Sequence, residues 1–218
     1  MQSNRILIFT IVILLYGVNL SGQLDRIRVE GAKFVNPDST EIVFRGYNSS
    51  DPDKLEREGQ WNDRYFAKIK EWGGNIVRFP IHPNTWRNRG KENYLNLLDK
   101  GIDLAGKHGI YVILDWHSIG NLKSELFYKQ MYETSKKETF EFWKVMAQRY
   151  GNNPTVAFYE LFNEPTTIGG ELGELAWGDW KLMMEELILL IRENGGKGIP
   201  LVAGFDWAYD LTEIKNNP

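Results

Sequence analysis

Residues 155–165 read TVAFYELFNEP. Val156, Ala157 and Phe158 make an apolar run, Glu160 interrupts it, and Asn163–Glu164 arrives just before Pro165. A short apolar run closed by a proline reads as a strand, because Pro165 has no N–H to extend a ladder. Strand alternation would put Glu160, Phe162 and Glu164 on one face. If that face lines an interior, Glu164 is a carboxyl at a partly dry mouth. Burial would then raise its pKa and keep it available as a proton donor. Taken alone, a glutamate after a strand reads more readily as a helix cap or a surface acid.

Working outward, the same pattern recurs. Residues 42–45 form a short β-rich run ending in RGYN. NIVRFPI (75–81), IYVILDWHS (110–118) and PLVAGFDWAYD (200–210) are further apolar runs with polar ends. Between them lie helical spacings. Trp61, Tyr65, Phe66, Ile69 and Trp72 share one face, as do Leu97, Leu98, Ile102 and Ala105. Residues 139–150 and 177–192 complete the set, each followed by glycine. Strands alternating with helices predict an α/β fold with a parallel sheet buried on both faces. An open doubly wound sheet and a (β/α)8 TIM barrel both satisfy this.

Two features favour the barrel. No glycine-rich phosphate loop follows the first strand. Polar residues stand at every strand's C-terminal end: Arg45 and Asn48, Arg78 and His82, Asp115 and His117, Asn163 and Glu164, Asp206 and Trp207. A barrel assembles its site from those ends. About five strand–helix units are legible, whereas a barrel repeats the unit eight times over about 250 residues. The expectation is a barrel truncated after about five units.

Composition narrows the function. The 218 residues are 42% hydrophobic and 25% charged, which is ordinary globular material. The net charge is −3 and no basic stripe is present, so nucleic acid is not an expected partner. There is no cysteine, which excludes disulfides and Cys-type zinc sites. Eight Trp and ten Tyr suit either a packed core or a carbohydrate site. Arg5 followed by the apolar run from Ile6 to Val18, then Ser21–Gly22, is a signal-peptide pattern. The run is short for a span, which needs about 20 apolar residues. Residues 1–22 are therefore expected to be a cleaved signal and 23–218 one partial catalytic domain, secreted or periplasmic. No stable membrane association is expected after cleavage.

As a set, NEP after an apolar strand, RGYN near the first strand, NIVRFPIHP and ILDWHS resemble glycoside hydrolase family 5. The resemblance covers most of residues 27–211. It implies a retaining (β/α)8 glycosidase acting on β-1,4-linked polysaccharide, most often an endoglucanase, with β-mannanase or another hemicellulase as the alternative. It assigns Glu164 as general acid/base and Asn163 as the residue holding the sugar 2-hydroxyl. Arg78 supports the nucleophile electrostatically, and His117 lines the site. It also implies sugar contact at His82 and an aromatic platform at Trp207. Asn48, at the end of the first strand, joins them as a substrate-binding candidate. The family's nucleophile, a glutamate on the seventh strand, has no counterpart here. A non-catalytic carbohydrate-binding fragment is therefore the reading from another class. The 218-residue product is expected to be inactive, with unpaired edges on its first and fifth strands and a tendency to aggregate.

Other readings are weaker. His82 and His117 with Asp115 lack the H-x-H or H-E-x-x-H spacing of a metal site, so no metal or other cofactor is expected. Ser118 has no G-x-S-x-G elbow. His108 suits a helix C-terminus. Glu160 reads as a buried acid paired with Arg45 or Arg78. Trp61, Trp72, Trp143 and Trp180 read as packing, and Trp86 as either packing or a sugar platform.

Overall fold

The computed structural model describes residues 24–218. The signal peptide expected over residues 1–22 lies outside the described residues. Among the described residues no helix is long and apolar enough to cross a membrane.

The chain opens with an antiparallel hairpin, β1 (Arg28–Glu30) and β2 (Lys33–Val35). Then come β3 (Gly46–Asn48), α1 (Pro52–Arg57), α2 (Asp63–Glu71), β4 (Ile76–Ile81), α3 (Pro83–Arg89), α4 (Lys91–Lys107) and β5 (Tyr111–Trp116). A long excursion follows: β6 (Ile119–Asn121), β7 (Leu126–Phe127) and a 3-10 turn over Gln130–Tyr132. The remainder is α5 (Lys136–Tyr150), β8 (Val156–Glu160), β9 (Glu164–Pro165), α6 (Trp177–Glu193), β10 (Ile199–Leu201), α7 (Phe205–Ala208) and α8 (Thr212–Asn216).

Five strands form one parallel sheet in the order β10-β8-β5-β4-β3. Helices cover its outer face, so the arc is the α/β arrangement expected of part of a (β/α)8 barrel. Among the described residues the sheet is open and does not close on itself. The side chains sort cleanly. Val77, Phe79, Ile81, Val112, Leu114, Trp116 and Tyr159 pack outward against the helices. Ile76, Tyr111, Phe158, Ile113, Ile199 and Leu201 form the inner layer. Phe34 of the hairpin and Phe44 close that layer from below, with Phe44 edge-on to Tyr111 and Phe158.

Local chemistry sets the elements. Asn62 caps α2 by accepting from the Arg64 N–H at 3.0 Å, and Ser135 caps α5 by accepting from the Glu138 N–H at 3.0 Å. Gly101 lets α4 lie on the Trp61 indole, since a Cβ there would stand 2.1 Å from the ring.

Several expectations need correction. The first strand is Gly46–Asn48, not 42–45. Asn75 explains the shift: its side chain binds the Arg45 N–H at 2.7 Å and the Val43 carbonyl at 2.9 Å, taking groups a ladder would use. Gly46 then fits against β4, where a Cβ would meet the Ile76 carbonyl oxygen at 2.0 Å. The last strand stops at Leu201, and Asp206 and Trp207 instead take left-handed backbone with φ of 48° and 56°. Alternation also fails around the opening motif. A bulge between β5 and β8 pairs Val112 with Val156 but Ile113 with Phe158, so Ala157 is the extra residue. The bulge resets the face and turns Phe158 and Glu160 inward. Beyond Glu160 the strand ends, and Phe162 packs outward on Trp180 at 5.5 Å. Phe162 therefore does not share the face of Glu160. The hairpin, α1, α3 and the β7-β6-β9 sheet were not foreseen from the sequence.

Candidate active site

The C-terminal ends of the five strands gather the polar residues. Arg78, inward on β4, is the hub. Its Nε and Nη2 donate to the two Glu160 carboxyl oxygens at 2.6 and 2.8 Å, a bidentate pair. Nη2 also reaches Asn163 Oδ1 at 2.7 Å and Asp115 Oδ2 at 2.8 Å, and Nη1 donates to Asn48 Oδ1 at 3.1 Å. One guanidinium thus ties β3, β4, β5, β8 and the loop after β8 together. Glu160 pairs with Arg78, one of the two partners expected for it.

Asn163 and Glu164 are delivered by a side sheet rather than by a barrel strand. The Asn163 N–H donates to the Trp116 carbonyl at 3.2 Å, and the Glu164 N–H donates to the Ser118 carbonyl at 3.1 Å. β9 then runs parallel to β6, with Glu164 opposite Ile119 and Pro165 opposite Gly120. The next ladder bond comes from the Thr166 N–H to the Gly120 carbonyl at 3.0 Å. Pro165 therefore does sit in a short strand, because its missing donor falls where the ladder needs none.

The amide of Asn163 has a fixed orientation. Arginine only donates, so the atom facing Arg78 is the carbonyl oxygen. Nδ2 is buried and has no hydrogen-bond partner among the described residues. Leaving such a donor unpaired costs about 1–3 kcal/mol. Beside it, burial raises the Glu164 carboxyl above its ordinary value, partly offset by His117 and Arg78. Burial also raises Glu160, against the pull of Arg78.

Two histidines form the wall of a cleft that Asn48, Asp51 and Thr85 also line. His117 Nδ1 lies 2.6 Å from Asp115 Oδ2. Asp115 is fully buried, and burial pushes its carboxyl up to about 7 despite Arg78. Burial and the Arg78 charge bring His117 down to about 4. His82 Nδ1 lies 2.9 Å from Asp51 Oδ2. Burial works to raise Asp51, but hydrogen bonds from His82, Thr85 and Tyr94 outweigh it and hold the carboxyl below its usual value.

The structure thus gathers Arg78, Asn163, Glu164, His117, His82 and Asn48 at one end of the arc. Trp207 lies in the α7 turn packed beside β9 and is 38% exposed. Trp61, Trp143 and Trp180 are buried as expected, and Trp86 is packed on Phe142 and Tyr94. Trp72 departs from expectation: it is 63% exposed, at the C-cap of α2 beside Tyr47. His108 ends α4 and reaches Asp63 with Nε2 at 2.9 Å. Sequence reasoning missed Asp51 and Tyr132 and gave Asp115 no role. The Asp-x-His spacing at 115–117 and the Asp–Pro helix start at 51–52 were the available signals.

Comparison with known proteins gives the chain its relatives. The endoglucanase of Paenibacillus polymyxa is 28% identical over 226 residues, which cover 87% of this chain and 55% of that protein. Endoglucanase A of Butyrivibrio fibrisolvens is 26% identical, with 88% and 42% covered. The chain thus spans about half the length of the curated relatives it matches. Among solved structures, the β-glucanase SdGluc5_26A of Saccharophagus degradans superposes with a TM-score of 0.88 at 47% identity, over 90% of this chain and 59% of that one. That enzyme has also been solved in complex with cellotetraose. The profile of the cellulase family, glycosyl hydrolase family 5, matches residues 35–218, the whole of the arc and its polar end, and the chain belongs to that family.

Proposed function

We propose that this chain supplies the acid/base half of a retaining endo-acting β-glycanase, most specifically an endo-β-1,4-glucanase. The observation that carries the reading is the pair at 163–164. A carboxyl raised by burial stands next to an amide whose oxygen is locked by Arg78 and whose buried donor is unpartnered. Such a pair suits a glycoside. Glu164 protonates the leaving oxygen, and Asn163 Nδ2 donates to the 2-hydroxyl, a bond that strengthens in the transition state.

Retention requires a second carboxyl about 5–5.5 Å from the acid. Asp115 is fully buried and Glu160 has both carboxyl oxygens bound by Arg78, so neither has an oxygen free to attack. The reading therefore takes the nucleophile from outside these 218 residues. The same observation favours a second reading for the 218 residues alone, in which they bind oligosaccharide without cutting it. Substrate choice follows the relatives, which are named endoglucanases and a β-glucanase. Export is proposed on the pattern of residues 1–22.

The test compares a longer protein containing these residues with its Glu164→Gln variant on carboxymethyl-cellulose, mixed-linkage β-glucan and mannan. Release of reducing ends from the glucans by the parent, and its loss in the variant, is the expected result. Cleavage of mannan alone, or full activity in the variant, would overturn the reading.

A further inference from the structure

The two histidines that line the cleft are built alike. Their rings meet edge to face with centroids 4.6 Å apart, and Tyr132 stands beside both at 5.7 and 6.0 Å. Each ring turns Nδ1 toward a buried carboxylate, for His117 one two residues back at the end of β5 and for His82 one from the distant start of α1. Asp115 Oδ2, on β5, meets His117 Nδ1 at 2.6 Å and Arg78 Nη2 at 2.8 Å. Asp51 Oδ2, at the start of α1, meets His82 Nδ1 at 2.9 Å, the His82 backbone N–H at 3.1 Å and the Thr85 hydroxyl at 2.7 Å. Asp51 Oδ1 accepts from the Tyr94 hydroxyl at 2.8 Å and the Asp53 N–H at 2.8 Å.

These partners fix where the ring protons sit. Asp51 Oδ2 takes the His82 backbone N–H and is an acceptor, and Asp115, once ionised beside the Arg78 cation, carries only acceptor oxygens. A bare Nδ1 lone pair would then face a carboxylate lone pair at hydrogen-bond distance. The proton must be on Nδ1 in both rings. A neutral imidazole carries one N–H, so Nε2 is left as a lone-pair acceptor in each.

We infer that Asp115 and Asp51 are positioning residues that set the tautomers of His117 and His82, so that both rings offer Nε2 to hydroxyl protons of a β-glucan. The inference rests on the glycanase reading for its ligand but not for its chemistry. The low value of His117 keeps that ring neutral across the range in which a carboxyl acid operates. The site then has a divided code. Asn163 Nδ2 gives a proton to one hydroxyl, while the histidines take protons from others. A sugar methylated or lacking a hydroxyl at a histidine position loses a donor that the site is built to accept.

The experiment is long-range proton–nitrogen correlation NMR on the 218-residue chain with ¹⁵N-labelled histidine at about pH 8, above the Asp115 value of about 7, where the carboxylate form prevails and an ordinary imidazole is neutral. His82 and His117 are expected to show a protonated Nδ1 and a bare Nε2. His108, which faces Asp63 through Nε2, is the internal contrast and should show the opposite pattern. In Asp115→Ala, His117 should move toward the Nε2–H form while His82 keeps its pattern. Nε2–H at either cleft histidine in the parent chain overturns the inference without any variant. An unchanged His117 in a folded Asp115→Ala chain overturns the role of Asp115. Cellotetraose is the added probe. A shift of the bare Nε2 signals on saturation supports the acceptor role, and signals that stay put while cellotetraose binds overturn it. Correct tautomers in a chain that binds no cellotetraose would uphold the positioning role and count against the glycanase reading instead.

Discussion

The two ends of the same parallel arc are built from the same strands and do opposite things. At the lower end, Ile76, Tyr111 and Phe158 point inward and meet Phe44 and the hairpin. Two residues further along two of those strands, the inward positions become Arg78 and Glu160, with Asp115 beside them on β5. The backbone and hydrogen-bond ladder are continuous; only the side chains change. The lower layer gains from removing apolar area from water, roughly 25 cal/mol per Å². The upper layer loses by burying charge and recovers through a single guanidinium. Stability is concentrated below, and the tuned acids above, as in barrels generally.

Arg78→Ala should break this contrast most severely. It leaves Glu160 and Asp115 buried without a counter-charge, which costs about 3–5 kcal/mol, and frees the Asn163 amide to turn. Urea unfolding should show the loss, and calorimetry should show no cellotetraose binding even where the fold survives. Phe158→Ala tests the other end. It removes a ring from the aromatic floor at about 3–5 kcal/mol, yet below its melting point the variant should bind cellotetraose as the parent does. Equal damage to binding from both changes would erase the distinction between the two ends.

A subtler effect concerns pH. Asp115 is raised to about 7 in the fold, against about 3.9 in an unfolded chain. Between those values the native state holds the proton and the unfolded state does not. Its contribution to stability is therefore present below about pH 4 and lost as pH rises toward 7. His117, lowered to about 4, works in the opposite sense up to about pH 6.5. Asp115→Asn removes the first trend and keeps the second. The variant should gain stability relative to the parent as pH rises from about 4 to 7, read as a rising difference in urea midpoint. A constant difference would mean that Asp115 stays ionised throughout.

Much of the arc was legible in sequence because its strands are apolar runs with glycine-ended helices between them. NIVRFPI and IYVILDWHS became β4 and β5 nearly to the residue. The polar strand ends were visible for the same reason, since Arg78 and His117 interrupt apolar runs. What was hidden depended on distant partners. The Asn75 side chain displaces the first strand, and nothing local to residues 42–48 reveals it. The bulge at Ala157 inverts alternation by one residue, which composition cannot show. Glu164 was placed at the mouth for a reason that does not hold, since β9 pairs with the excursion after β5 and not with the barrel strands. Asp51 and Asp115 look like any acid until their histidines are seen beside them.

The central claim is that Glu164 gives its proton to a leaving glycosidic oxygen. The most direct measurement compares Glu164→Gln with its parent, in a longer protein that contains these residues, on two substrates. On an unactivated β-glucan, kcat should fall by about 10²–10⁴-fold. On an aryl glycoside whose leaving group needs no protonation, the bond-breaking step should be nearly unchanged. Equal losses on both substrates, or no loss on the glucan, would contradict the assignment of Glu164.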